Sequence, residues 1–246
     1  MPKSPKGESK KPSQPAGYFY WSREPAMGLF AVLPLWTVYI LMRSQFAPRE
    51  WNGAEVILEH PITLFGAYGH LIVSVAFALL TAAAAYSLLK RDIPWLRVGA
   101  VIVLEGLVYG VMLGPIAAAM TSSADQLLQS GSSSHLVMAN VVGSLGAGIF
   151  EELVFRLGVM SVLVWVGARA ARSWGMPKIS AAGPAIVVSA LLFSWFHHLC
   201  GEAFDRDVFV FRTMAGIVLG ILMWWRGYGV CVYTHTVYNL YFYFRP

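Results

Sequence analysis

The sequence predicts an all-α fold, a polytopic transmembrane helical bundle of about seven spans, and three observations carry that prediction. Of 246 residues, 57% are hydrophobic and 13% charged, against the roughly 25% charged residues of a soluble domain. The apolar residues gather in runs of roughly 17 to 25, the length of a helix that crosses a bilayer. Basic residues collect in alternate connections between those runs, as the positive-inside rule requires of a multi-pass membrane protein.

The first run covers about Ala26 to Met42. No small-residue cleavage site follows it, which predicts a retained span with signal-anchor behaviour. Further runs cover about Tyr68 to Leu89 and Val98 to Met120. A fourth starts near Leu136 and stays apolar to about Ala168. That is too long for one simple crossing and predicts a tilted or broken helix, or a span with a cytosolic extension. The last three runs lie at about Ala182 to Leu199, Val208 to Trp225 and Tyr228 to Phe244. Between the first two runs, Ser44 to Gly66 mixes Arg49 with Glu50, Glu55 and Glu59 around Trp51 and Pro61, which suits a short amphipathic helix at the outer interface.

Lys90, Arg91 and Arg97 separate the second and third runs, and Arg169, Arg172 and Lys178 separate the fourth and fifth. Both sets belong inside. The Ser-rich connection Thr121 to His135 and the acidic connection Glu202 to Asp207 then face outward. The net charge of +5 is explained by the same rule. Lys3, Lys6, Lys10 and Lys11 lie in a Ser/Pro/Gly-rich tail with no interleaved aromatic residue, so no nucleic-acid partner is expected. Cys200 and Cys231 are too few and too far apart for a disulfide framework or a Cys-based zinc site and read as helix-packing thiols.

The unusual polar residues fall in the last four runs. Glu151, Glu152 and Arg156 interrupt the fourth, where each costs roughly 2.5 to 3.5 kcal/mol near a helix centre. Glu152 and Arg156 are four apart on one helical face and form a natural ion pair. Glu151 is rotated about 100° away from Glu152 and is either a reactive carboxylate or a bystander of a structural charge cluster. In the fifth run, Phe193 shares a face with His197, and His198 adjoins it; chemistry alone does not choose between the two histidines. His235 and Asn239 are four apart in the seventh run, and both can donate to a developing oxyanion or hold helices together. Gly216 and Gly220 in the sixth run read as packing support.

Taken together, E-E-x-x-x-R at Glu151 to Arg156, F-x-x-x-H at Phe193 to His197 and H-x-x-x-N at His235 to Asn239 resemble the ordered motifs of the CAAX-protease and bacteriocin-processing family, which includes the type II CAAX prenyl protease. The resemblance covers roughly Gly143 to Tyr241. It implies an intramembrane endopeptidase in which Glu151 and His197 activate a water and His235 and Asn239 stabilise the oxyanion. Glu152, Arg156 and Phe193 then play supporting parts. It also implies three divisions: a basic polar cytosolic tail at 1–25, helices without catalytic motifs at 26–135, and a catalytic helical core at 136–246.

No cofactor is expected, since Asn is a rare zinc ligand and no H-E-x-x-H signature is present; zinc on Glu151, His197 and His235 is the alternative. The expected partners are a membrane-associated or lipidated polypeptide substrate and the bilayer itself, and the expected location is a prokaryotic inner membrane as a multi-pass protein. A proton- or ion-coupled transporter and a catalytically silent scaffold are the competing functions. The loop charges put His197 and Asn239 toward the outer side, whereas cytosolic prenylated tails would enter from inside. Either the spans are drawn wrongly or the substrate approaches from the other leaflet, and a broken or re-entrant fourth helix would reconcile the two.

Overall fold

The structure, a computed structural model, describes residues 17–46, 53–121, 137–200 and 202–244. The lysine tail and the Ser-rich connection at 122–136 lie outside them. Among the described residues the chain forms helices and no strands. After the short turn α1 (Tyr18–Trp21) come α2 (Pro25–Phe46), α3 (Gly53–Thr63), α4 (Gly69–Lys90) and α5 (Trp95–Thr121). Next, α6 (Val137–Gly146) runs through a π-helical segment (Ala147–Met160) into α7 (Ser161–Ser173), and α8 (Ala182–Leu199), α9 (Arg206–Arg226) and α10 (Tyr228–Phe244) complete the bundle.

Each of the seven apolar runs is thus a helix. Four helical stretches, Pro25–Phe46, Trp95–Thr121, Lys178–Leu199 and Arg206–Arg226, are individually long and apolar enough to cross a membrane. Large apolar side chains on the outer faces, among them Leu79, Leu104, Val108 and Trp165, are exposed, as expected of surfaces solvated by lipid. The long fourth run is not broken into separate helices over the described residues. It continues as one helical path from Val137 to Ser173, widened into π form in its middle.

Helix α10 is the centre of the packing, with Tyr228 to Thr236 all buried. Its neighbours approach closely because they present glycine. A methyl group on Gly106 of α5 would overlap the Tyr233 side chain, and one on Gly110 would lie 2.6 Å from Val237 Cβ. On another side, one on Gly148 of the π segment would overlap Thr236 Oγ1. The G-x-x-x-G pair of α9 does what its spacing predicts: Gly216 faces Ala190 and Gly220 faces Ile186 of α8. Without a hydrophobic driving force between helices in lipid, such close backbone approach supplies the dispersion contact that holds a bundle.

Ion pairs mark the two ends. At one, Arg91 pairs with Glu24 at 2.9 Å, Arg226 with Glu105 at 2.7 Å, and Tyr18 donates to Glu105 at 2.8 Å. At the other, Arg43 and Tyr39 of α2 reach Glu55 at 2.7 and 2.6 Å. A short helix is therefore present between the first two runs as α3, with Glu55 only 2% exposed. Its carboxylate is turned inward because α2 offers it a guanidinium and a phenol.

Because a side chain at position 106 has no room to move into, Gly106→Val is expected to cost about 1–3 kcal/mol or more through overpacking. Thermal unfolding in detergent checks this, with Gly143→Val as the control, since nothing lies within 4 Å of a methyl group there.

Candidate active site

The site is built around the π segment. In a helix bonded i→i+5 the turns are wider than in an α-helix, and such segments recur at functional sites. Here two adjacent carboxylates in such a segment serve different neighbours. Carbonyls of this segment are taken by side chains from flanking helices: Ser189 of α8 donates to Phe155 O at 2.7 Å, and Tyr228 of α10 donates to Ile149 O at 3.1 Å. Those bonds matter in lipid, where water is not at hand to satisfy a freed carbonyl.

Glu152 is wholly buried and its two oxygens meet three donors. His235 Nδ1–H donates to Oε1 at 2.7 Å, while Arg156 Nε lies 3.2 Å and Cys231 Sγ 2.9 Å from Oε2. The pairing of Glu152 with Arg156 follows the i,i+4 expectation. Arg156, 1% exposed, also donates to Gly216 O at 3.3 Å and lies over the Phe193 ring at 4.2 Å. Phe193 in turn meets the His197 and His235 rings edge-on, at 5.0 and 5.9 Å between centroids. Its role extends beyond packing against His197, since it separates the Arg156 charge from both imidazoles while touching all three.

Glu151 turns to the other side. Its Oε2 stands 3.8 Å from His197 Nε2 and 3.8 Å from His235 Nε2. The ring orientations are set from behind: His197 Nδ1–H donates to Phe193 O at 2.9 Å, and His235 Nδ1–H to Glu152. With Nδ1 of each ring committed, Nε2 is the nitrogen that each presents to Glu151 and to the space beside it. That space is a cavity of about 340 Å³ lined by Glu151, Phe193, His197, His235, Tyr238 and Asn239. Glu202 and Arg212 stand in its wall as an ion pair.

Four residues expected to act together, Glu151, His197, His235 and Asn239, therefore line one cavity; of the three expected to support them, Phe193 shares that lining and Glu152 and Arg156 stand behind it. The structure also separates the two adjacent histidines. His198 packs against Phe204 and Phe209 and does not line the cavity. Cys231 is corrected from a packing thiol to a donor on Glu152. It lies four residues before His235, so its presence on the same face was readable in the spacing, but its partner on another helix was not. Glu202 and Arg212 also went unremarked as cavity residues, because nothing local links a connection after α8 to the first turns of α9. Among the described residues, no group of three or more His, Cys, Asp or Glu side chains is placed to hold a metal ion.

Replacing Glu152 by Gln leaves Arg156 buried without its anion, and a broken buried pair costs about 3–5 kcal/mol. Glu152→Gln is expected to lower the thermal midpoint in detergent accordingly, and Glu152→Gln combined with Arg156→Met to recover part of that loss.

Comparison with known proteins finds one family. Residues 133–241 match the family model described as type II CAAX prenyl endopeptidase, Rce1-like, an interval that contains all three motifs and every cavity residue named above. Comparison with curated proteins and with solved structures returned no match. The chain is an integral membrane protein, and over residues 133–241 it is similar to the Rce1-like type II CAAX prenyl endopeptidases.

Proposed function

We propose that the chain hydrolyses a peptide bond in a membrane-associated polypeptide, with Glu151 and His197 activating the attacking water and His235 and Asn239 stabilising the oxyanion. The observation that carries this reading is the convergence of His197 Nε2 and His235 Nε2 on Glu151 Oε2, each at 3.8 Å, beside a cavity. A separation of 3.8 Å suits one water donating to the carboxylate and to the free lone pair of His197 Nε2.

Attack of that water on the scissile carbonyl carbon forms the new C–O bond and moves its proton to Glu151. The carbonyl electrons pass to oxygen, which needs donors beside it in a site shielded from water. Asn239 offers its amide N–H groups in any protonation state. His235 has given Nδ1–H to Glu152, so it can donate from Nε2 only as the doubly protonated ring. Collapse of the tetrahedral species expels the amine, which takes the proton back from Glu151.

Zinc on Glu151, His197 and His235 is the competing chemistry. These side chains are not grouped as a metal site, and no step here depends on a metal. Glu152, Arg156 and Phe193 act through others: Glu152 orients His235, Arg156 balances its charge, and the Phe193 backbone carbonyl orients His197.

The test is cleavage of membrane-tethered reporter peptides by purified protein, with and without a chelator. Glu151→Gln is expected to lower the rate by a factor on the order of 10²–10⁴, and Asn239→Ala by about 10²–10³. Activity of the unaltered protein is expected to persist in chelator. Loss of activity in chelator would replace this mechanism with a metal-dependent one, and equal rates for Glu151→Gln and the unaltered protein would sink the assignment of Glu151.

A further inference from the structure

The charges at the two ends of the bundle bear on the substrate itself. Helix directions put the α1–α2 entry, the α4–α5 and α7–α8 connections and the α9–α10 turn at one end. The structure ties parts of that end together through Arg91 with Glu24, Arg226 with Glu105, and Gly227 packed on the Ser22 backbone. It carries Arg23, Lys90, Arg91, Arg97, Arg169, Arg172, Lys178 and Arg226, and the tail lysines precede it in sequence. The opposite end has few basic residues, and two of them are paired with carboxylates, Arg43 with Glu55 and Arg212 with Glu202. Asp205 and Asp207 add to its acidity. A bias of Lys and Arg this strong, set in short connections, orients a multi-pass chain with the basic end in the cytosol.

The cavity belongs to the acidic end. His197 lies two residues before the end of α8, Glu202 lies in the connection that follows, and Asn239 lies in the last turns of α10. The fourth run, which carries Glu151, is one continuous helix over the described residues.

Resting on the endopeptidase reading above, we propose that the site opens on the extracytoplasmic side, and that its substrate is an exported or outward-anchored polypeptide whose scissile segment approaches from that leaflet. A cytosolic lipidated tail would meet the basic end of the bundle, away from the cavity.

The chain carries its own probe. Cys200 is exposed, three residues beyond His197, whereas Cys231 is buried, so a bulky impermeant maleimide has one native target. Burial and the nearby Glu151 and Glu202 charges push the Cys200 thiol up, so labelling is run at mildly alkaline pH. Intact cells producing the full chain are labelled before and after permeabilisation. Phe204→Cys, at an exposed position of the same end, serves as a second target, and Ser173→Cys in a Cys200→Ser background reports the basic end. The expected result is labelling of Cys200 and Phe204→Cys in intact cells and of Ser173→Cys only after permeabilisation. The reverse pattern overturns the proposal and leaves the peptidase reading untouched.

Two reporters carrying the same cleavable segment, anchored facing outward or inward, supply the second arm. Cutting of the outward reporter at least tenfold faster supports the proposal, and preferential cutting of the inward one overturns it. If neither reporter is cut, the peptidase reading fails, and the labelling pattern alone decides which way the cavity opens.

Discussion

A single buried carboxylate organises the second half of this protein. Glu152 is inaccessible to solvent, and a charge in that position persists only if its hydrogen-bond donors are supplied by the fold. They come from two separate elements: Arg156 one turn along the same helix, and Cys231 and His235 on α10. The carboxylate therefore acts as a clamp between the π segment and the last helix. The orientation of His235 follows from it, because the ring nitrogen bound to Glu152 cannot also face the cavity. Through Arg156, the same group reaches Gly216 of α9 and the face of Phe193 on α8. Four elements thus share one charge network.

That network depends on how near the helices come. The glycines at 106, 110 and 148 let α10 sink between α5 and the π segment, with backbone in contact where side chains would otherwise hold the helices apart. Dispersion gained this way is the main source of association in lipid. The buried hydrogen bonds then select one register from those that close packing alone would permit. The amino-terminal half contributes support of the same kind: Tyr233 donates to Ala31 O at 2.9 Å, and Tyr39 packs against Phe150, the residue before Glu151.

Much of this was legible in the chain because membrane helices announce themselves by length and apolarity. All seven runs are helices, and the i,i+4 relation between Glu152 and Arg156 and that between Phe193 and His197 were read as contacts and are contacts. These are local relations within one helix. Cys231 on Glu152, Arg212 in the cavity wall and the burial of Glu55 all depend on which helix lies beside which, and periodicity does not carry that information. The π form of residues 147–160 was hidden for another reason. Its composition suits an α-helix equally well, and the hydroxyl groups of Ser189 on α8 and Tyr228 on α10 that bond its carbonyls come from distant parts of the sequence.

The π segment makes the site a matter of residue count. Glu151 and Glu152 are chemically identical, and what separates their roles is angular position on a widened turn. Deleting one residue anywhere between Ala147 and Phe150 would let the segment relax toward ordinary α geometry and rotate both carboxylates past their present neighbours. The side chain now facing the cavity would be carried away from it without any change in its identity. Chain length through this turn is consequently under tighter constraint than many of the side chains it displays, and the segment is better regarded as a spacer of fixed measure than as a helix with a defect.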